Sequence, residues 1–466
     1  MLWLRRFFRY SVLFVSSTSV FAQQAGKIRG ADERFKVDIL VVVAHPDDEG
    51  AVTPYLARAI YDLHKRVAVV YGTHGSSGGN SYGSERATAL GDIREMEARA
   101  ACARLGIQNV WFLDGNDTAS QNVLNSLANW GHGANLEKMV ELIRLTRPQI
   151  VITSLPGLFI GENHGDHQAA GVLATEAFDS AGNATIFPEQ VAGASAKREL
   201  YLENLKPWKA SKIYYFADAQ DDKQFAGSGP AYSIKEISPS QNKPYWRLAI
   251  DAATTHLTQY PEEIHALEKL GDAELEKRMS DPDTGWWSDP ETLIFGKSNV
   301  GGAPTDDVFA QSMPGPASVP GGVVGAAEQT QGAKLTIGGP WGYYEQFRAL
   351  HELLSLPVAR VPEIAIKAGM PVYVPLIIHH ASSEAMKVTI QAEAPVGWKV
   401  TSGQGDFVLP PESSTEMRVE LDTPHHSEQE VKKAEPQLIT VRAEADGKSI
   451  GEVNLRVLLR QSALPQ

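Results

Sequence analysis

The sequence predicts an α/β protein, a Rossmann-like parallel sheet with helices on both faces, followed by a C-terminal antiparallel β-sandwich. Three observations carry that reading. From Lys36 to Asp179 short apolar runs alternate with helix-spaced segments, the pattern of consecutive β-α-β units. After about residue 297 Gly, Pro, Ala and Ser take over, a composition suited to a linker or surface excursion. From Pro362 onward apolar residues recur at every second position, as strands with one buried face require.

Element by element, Val37 to Ala44 is a continuous apolar run, the mark of a strand buried on both faces. Ala51 to Lys65 has helical spacing and Arg66 to Tyr71 is a second strand. A Gly-rich loop from Gly72 to Gly83 follows, then a helix from Ser84 to Leu105 that Gly106 ends in C-cap position. Val110 to Leu113 is a third strand, Asn135 to Thr146 a helix, Gln149 to Thr153 a fourth strand, and Asp166 to Asp179 a helix. Gly301 to Gly339 is the Gly/Pro-rich stretch, and Tyr343 to Leu354 is its one candidate helix. Val372, Val374, Leu376 and Ile378 alternate, as do Val453, Leu455, Val457 and Leu459, giving a sandwich of about a hundred residues. The expected divisions are 1–22, 23–297, 298–361 and 362–466.

Residues 1–22 have the layout of an export signal. Arg5, Arg6 and Arg9 precede an apolar stretch from Tyr10 to Phe21, and Val20-Phe21-Ala22 is a small-residue cleavage site. An exported protein, periplasmic or extracellular, is therefore expected, with no transmembrane segment in the mature chain. The formal charge of -13 excludes nucleic acid as a partner, since phosphate binding needs a basic face. Cys102 is the single cysteine among 466 residues, so a metal site here must be built from His and carboxylate groups.

Two clusters carry chemistry. Ala44-His45-Pro46-Asp47-Asp48-Glu49 stands at the carboxyl end of the first strand, and His164-Gly165-Asp166-His167 opens a helix after the fourth. One Asp would suffice to cap a helix; neither His45 nor the second Asp is explained that way. In a parallel sheet both clusters fall on the edge where ligands bind. Their convergence supplies enough imidazoles and carboxylates for three protein ligands and an open position, the ligand count of a catalytic zinc.

These residues resemble the PIG-L/LmbE family of metal-dependent N-acetylglucosaminyl deacetylases. The likeness runs from Val37 to His256 and includes Arg94 with Glu97, Phe112-Leu113-Asp114, and His256-x-Thr258-Gln259. It implies hydrolysis of an N-acetyl amide on an amino sugar or glycoconjugate, with His45, Asp48 and His167 as ligands of zinc. Iron(II) suits the same donors. It further implies Asp47 as general base and a protonated His164 as stabiliser of the oxyanion. Asp166 is either a hydrogen-bond partner of a neighbouring imidazole or the N-cap of its helix. Arg94 reaches a sugar hydroxyl or a phosphate, or else pairs with Glu97 or Glu95 along its helix. Asp114 binds a sugar hydroxyl or shapes a turn.

The chain also departs from the family. Thr73-His74-Gly75-Ser76-Ser77-Gly78-Gly79 lacks the Arg usual in that loop, where His74 is the substitute, and Pro156 to Asn163 lacks a Tyr that some members place near the oxyanion. The C-terminal region, through Pro395 to Val400 and Phe407 to Glu412, resembles the NEW3-like or immunoglobulin-like modules of secreted carbohydrate-active enzymes, which implies a spacer. Two other classes compete. Gly75-Ser76-Ser77-Gly78-Gly79 matches the Gly-x-Ser-x-Gly of serine hydrolases, with Ser77 as nucleophile, although no helix follows it. The other is a non-catalytic secreted sugar-binding protein, against which the retention of both Asp47 and His164 argues.

Overall fold

The computed structural model describes residues 32–460 apart from 158–162, 193–204, 218–226, 268, 280, 282–285, 311–332, 359–360, 426–430 and 432–434. The export-signal reading of residues 1–22 lies outside the described residues. Among those described, no helix is long and apolar enough to cross a membrane.

Five strands run parallel: β1 (Ile39–Val43), β2 (Val67–Thr73), β3 (Asn109–Gly115), β4 (Ile150–Ser154) and β5 (Lys212–Phe216). Two short strands, β6 (Ala231–Tyr232) and β7 (Glu291–Thr292), pair apart from them, and β8 (Ile294–Ser298) joins the edge antiparallel to β5. The order is β3-β2-β1-β4-β5-β8. Strand order therefore reverses between β1 and β4, the switch point at which such sheets open a crevice for ligands. The helices are α1 (Thr53–Tyr61), α2 (Thr88–Leu105), α3 (Val123–Trp130), α4 (His132–Thr146), α5 (Gly165–Ser180), α6 (Tyr245–Ala253), α7 (Pro261–Leu267), α8 (Asp272–Met279) and α9 (Gly339–Leu350).

The pleat of β1 explains the two layers. Leu40 and Val42 pack into one core with residues of α3, α4 and α5. Ile39, Val41 and Val43 face the other way, into a core with residues of α1, α2 and α6. All five are buried, so the strand reads as one apolar run.

Several boundaries differ from expectation for local reasons. The helix after β1 begins at Thr53 rather than Ala51, because the chain first makes a 3₁₀ turn over Asp48–Val52. The Asp48 carboxylate folds back onto the amides of Ala44 and His45, which tightens that corner. The next helix begins at Thr88 rather than Ser84, after Ala87 at φ 52°, a left-handed value incompatible with continuing a helix. α3 escaped the sequence reading; Asn122 caps it and left-handed Gly131 separates it from α4.

The stretch read as a linker holds more structure than expected. Tyr344 and Phe347 of α9 pack into the same core as Leu40, so α9 belongs to the α/β layers. Just upstream of α9, β9 (Ala333–Ile337) pairs with a sandwich strand at residues 372–380. The remaining strands are β10 (Glu363–Lys367), β11 (Val372–His380), β12 (Met386–Glu393), β13 (Lys399–Ser402), β14 (Gly405–Leu409), β15 (Ser413–Asp422), β16 (Gln437–Ala445) and β17 (Lys448–Arg460). They form sheets of order β10-β17-β16-β12-β14 and β13-β15-β11-β9. Pairing is antiparallel except β10 with β17, which is parallel.

Candidate active site at the β1–β4 switch point

His45 lies two residues beyond β1, and His164 and His167 bracket the first turn of α5 beyond β4. The structure brings the three imidazoles together. Ring nitrogens of His45, His164 and His167 lie within 4.8 Å of one another, and ring centroids of His164 and His167 are 4.3 Å apart. Asp48 stands between them, its Oδ1 3.2 Å from His167 Nε2 and its Oδ2 3.4 Å from His45 Nδ1. Two ligands on one tetrahedral ion, each at about 2.1 Å, are separated by roughly 3.4 Å. The ring nitrogens of His45, His164 and His167, with Asp48 oxygens 3.2 and 3.4 Å from two of them, form a donor group that could hold a divalent cation.

The two sides of this cluster are held by different means. Asp48 Oδ2 accepts the Ala44 and His45 amides at 3.0 and 2.8 Å. Asp166 Oδ2 lies 3.3 Å from His45 Nε2 and accepts the Thr118 amide at 2.7 Å. A carboxylate behind the non-ligating nitrogen fixes the orientation of a ligand imidazole, so Asp166 has the first of its two expected roles. His164, and not Asp166, caps α5: its Nδ1 accepts the Asp166 amide at 3.3 Å. Gly165 permits the approach, since a Cβ there would meet Ser120 O at 2.5 Å.

Charge in the cluster is strongly coupled. Burial disfavours charge on His45, but Asp48 and the Asp166 hydrogen bond outweigh it and raise its pKa well above the usual imidazole value. Burial acts against ionised Asp48 too, yet His167 and His45 hold it well below the carboxylate range. Burial, then His167 and His45, lower His164 to about 3. With Nδ1 accepting the Asp166 amide, Nε2 is the ring nitrogen that carries a proton.

Asp47 has its backbone at φ 120°, a region a non-glycine residue enters only when surrounding contacts impose it. Glu49 Oε2 accepts its amide at 3.1 Å. Burial and the Asp48 charge raise the Asp47 carboxyl to about 7, against the opposing effects of His256 and the Tyr260 hydrogen bond. One short segment secures this corner from outside. His256 Nε2 meets Glu49 Oε1 at 2.8 Å, Gln259 Nε2 donates to Pro46 O at 2.5 Å, and Tyr260 Oη donates to Asp47 Oδ2 at 2.6 Å. Thr258 in turn binds Glu97 through its amide and hydroxyl. Arg-x-x-Glu and His-x-Thr-Gln, separate in sequence, are thus one contact.

The remaining expected residues separate into different roles. Arg94 is buried, donating to the carbonyls of Gly75 and Gly79 at 2.7 and 2.8 Å; it braces the glycine-rich loop, and neither of its expected pairings with Glu97 or Glu95 forms. Gly75, at φ +68°, packs against the Arg94 stem. His74 stacks on Phe112 and faces Glu95 at 3.3 Å. Asp114 pairs with Lys138 at 2.5 Å and is largely exposed. The Ser77 hydroxyl donates to Asp117 O at 3.3 Å, and no described imidazole contacts it, so the nucleophile arrangement expected of a serine hydrolase is not formed. Residues 158–162, part of the loop said to lack a Tyr, lie outside the described residues.

Sequence reasoning placed Glu49 in the first cluster without a role of its own, and missed Tyr260 and Asp117. Asp117 joins His45 and Asp166 in a second close group, and its Oδ2 accepts the Ser77 amide at 2.8 Å. Tyr260 directly follows the quoted His-x-Thr-Gln element, but nothing in the pattern tells which partner its phenol meets.

Residues 40–178 match the PIG-L family model, described as GlcNAc-PI de-N-acetylase. The chain is 24% identical over 277 residues to a 1D-myo-inositol 2-acetamido-2-deoxy-alpha-D-glucopyranoside deacetylase of Thermobifida fusca, covering 49% of this chain and 90% of that one. It is 30% identical over 188 residues to an enzyme of the same name from Frankia alni, covering 37% of this chain and 59% of that one. Among solved structures, N,N'-diacetylchitobiose deacetylase from Pyrococcus horikoshii is similar at 19% identity and TM-score 0.36, covering 53% of this chain and 78% of that one. The family match is confined to residues 40–178, and the two sequence relatives named here are deacetylases by name.

Proposed function

We propose that this protein is an exported, metal-dependent amidohydrolase that removes the acetyl group from an N-acetylated glucosamine unit. The observation that supports the reading is the clustering of His45, His164 and His167 around the Asp48 carboxylate, with Asp47 next to Asp48 in sequence. The names of the relatives supply the substrate class, an acetamido sugar linked to a further group.

His45 Nδ1, Asp48 and His167 Nε2 would hold the cation, zinc or iron(II) by the chemistry of the donors. A cation there supplies Lewis acidity, polarising the amide carbonyl and acidifying water at the site. Asp47, which is not one of these ligands, accepts the proton of the attacking water and returns it to the departing nitrogen, so that water and amide become acetate and free amine. His164, whose Nδ1 accepts the Asp166 amide, donates through Nε2–H to the carbonyl oxygen as negative charge develops on it. Asp166 keeps His45 in the ligating orientation.

The test measures metal content and acetate release against a panel of N-acetylated sugars, comparing wild type with Asp47→Asn. The expected result is full metal content with activity reduced roughly a hundredfold or more. Equal activity in the variant would remove Asp47 from the mechanism. A chelator should abolish activity; activity that survives it would return the choice to Ser77. Export is tested separately, by N-terminal sequencing of protein collected outside the cytoplasm, which should begin after Ala22.

A further inference from the structure

We propose that Tyr260 is a positioning residue for the proton transfer, holding the Asp47 carboxylate by Oδ2 so that Oδ1 is the oxygen that takes and returns the proton. The inference rests on the reading of Asp47 as general base.

The geometry points to it in three steps. First, the backbone of Asp47 is already pinned: its amide is bound by Glu49, and its carbonyl accepts the Gly50 amide at 2.7 Å. What stays free is the side chain, with two torsions between the Cα and the reacting oxygen. The phenol of Tyr260 is the hydrogen-bond partner that fixes them, at 2.6 Å, a length typical of a hydroxyl donating to a carboxylate. Oδ1 has no such partner among the described residues.

Second, Tyr260 is itself fixed from both ends. Its amide donates to His256 O at 3.2 Å, while His256 and Gln259 grip Glu49 and Pro46. The phenol is therefore registered against the same corner that carries the base. On its far side the ring rests against Trp286, with centroids 6.4 Å apart. Trp286 Nε1 donates to Glu263 Oε1 at 2.8 Å, and Arg278 binds that oxygen at 2.9 Å. A chain of contacts thus runs from α8 through α7 to the carboxylate.

Third, the position is a costly one for a merely structural tyrosine. The residue is 44% exposed, so it contributes less to the core than a buried ring would. Its hydrogen bond also stabilises the charged carboxylate and so weakens it as a base. Were basicity limiting, losing the phenol would speed the reaction. Were geometry limiting, losing it would slow the reaction, because a displacement on the ångström scale can cost on the order of a hundredfold. The proposal commits to the second.

Tyr260→Phe keeps the ring against Trp286 and removes only the hydroxyl. We expect kcat to fall by roughly ten- to a hundredfold, with KM changed less than about twofold and with metal content and Tm as in wild type. In the Asp47→Asn background, where no base remains to be aimed, adding Tyr260→Phe should alter the residual rate by less than about twofold. An unchanged or faster kcat, a change confined to KM, loss of metal, or the same fold-loss in both backgrounds would each overturn the proposal. Full activity of Asp47→Asn would remove the general base and this proposal with it. A wild-type rate in Tyr260→Phe beside a crippled Asp47→Asn would sink the positioning role alone.

Discussion

At the carboxyl edge of the α/β sheet, Asp48, Glu49, Asp166, His167 and His256 are each less than a tenth exposed. In the sandwich one charged network lies outside: Arg442 pairs with Glu393 and Glu452, and all three side chains are 45–72% exposed. The sandwich core holds Val374, Leu376, Ile378, Val441 and Leu455, and its strands alternate buried with exposed positions, as in β11. Withdrawing ionisable groups from water is expensive unless each finds a partner. In the α/β half the buried imidazoles and carboxylates of the site lie where two loops meet and answer one another, while Arg144, Lys212 and Glu291 are buried elsewhere. The sandwich incurs that expense at fewer places, as at His380, whose Nδ1 meets the Pro410 carbonyl, and at the Arg456–Glu363 pair. The comparison locates chemistry in one half and packing in the other.

The largest expected effect falls on the ligands. His167→Ala should abolish metal binding and acetate release together, measured by metal analysis and turnover on the same sample. Asp166→Asn, one step removed, should weaken metal affinity roughly 10–100-fold, read by competition with a chelator of known affinity. If Asp166→Asn bound metal as tightly as wild type, the hydrogen bond to His45 would have no consequence for the site.

Stability separates the halves in the other direction. Ile378, fully buried in the sandwich, should cost about 2–5 kcal/mol when changed to Ala, seen in denaturant unfolding, with kcat per folded molecule unchanged. A matching loss of kcat would mean that the sandwich contributes to catalysis. The pH response belongs to the α/β half alone. Burial and the Asp48 charge raise Asp47 to about 7, and a divalent cation alongside lowers it again. A base works only when deprotonated, so kcat should rise with pH through a midpoint at or below about 7; a midpoint well above neutrality would contradict the assignment. The smallest effect is expected from Arg442→Ala, whose exposed pairs are screened by water: neither Tm nor turnover should change measurably.

Much of this was legible in the chain itself. The two His/Asp clusters, the apolar strands and the period-2 pattern of the sandwich are local signals, and the reversal of strand order places both clusters at one crevice. The less legible parts are those set by partners distant in sequence. Arg94 was read as a surface or substrate-facing residue because its helix gives no sign that the glycine-rich loop folds back over it. The stretch read as linker looked structureless up to Tyr343, yet β9 takes its order from pairing with β11. α3 was invisible for the opposite reason: it is short, and its limits are set by one cap and one left-handed glycine.

By itself, the sequence determined the residue types at the site, their attachment to the ends of two buried strands, and the exclusion of cysteine from any metal centre. Hydrophobic period and motif are properties of neighbouring residues and survive without a fold. Only the tertiary structure decided which oxygen or nitrogen faces which: that His164 Nδ1 caps α5, that Asp166 backs His45, and that a tyrosine 213 positions away closes on Asp47. Such contacts depend on side-chain directions fixed by packing across the molecule, and no local pattern encodes them.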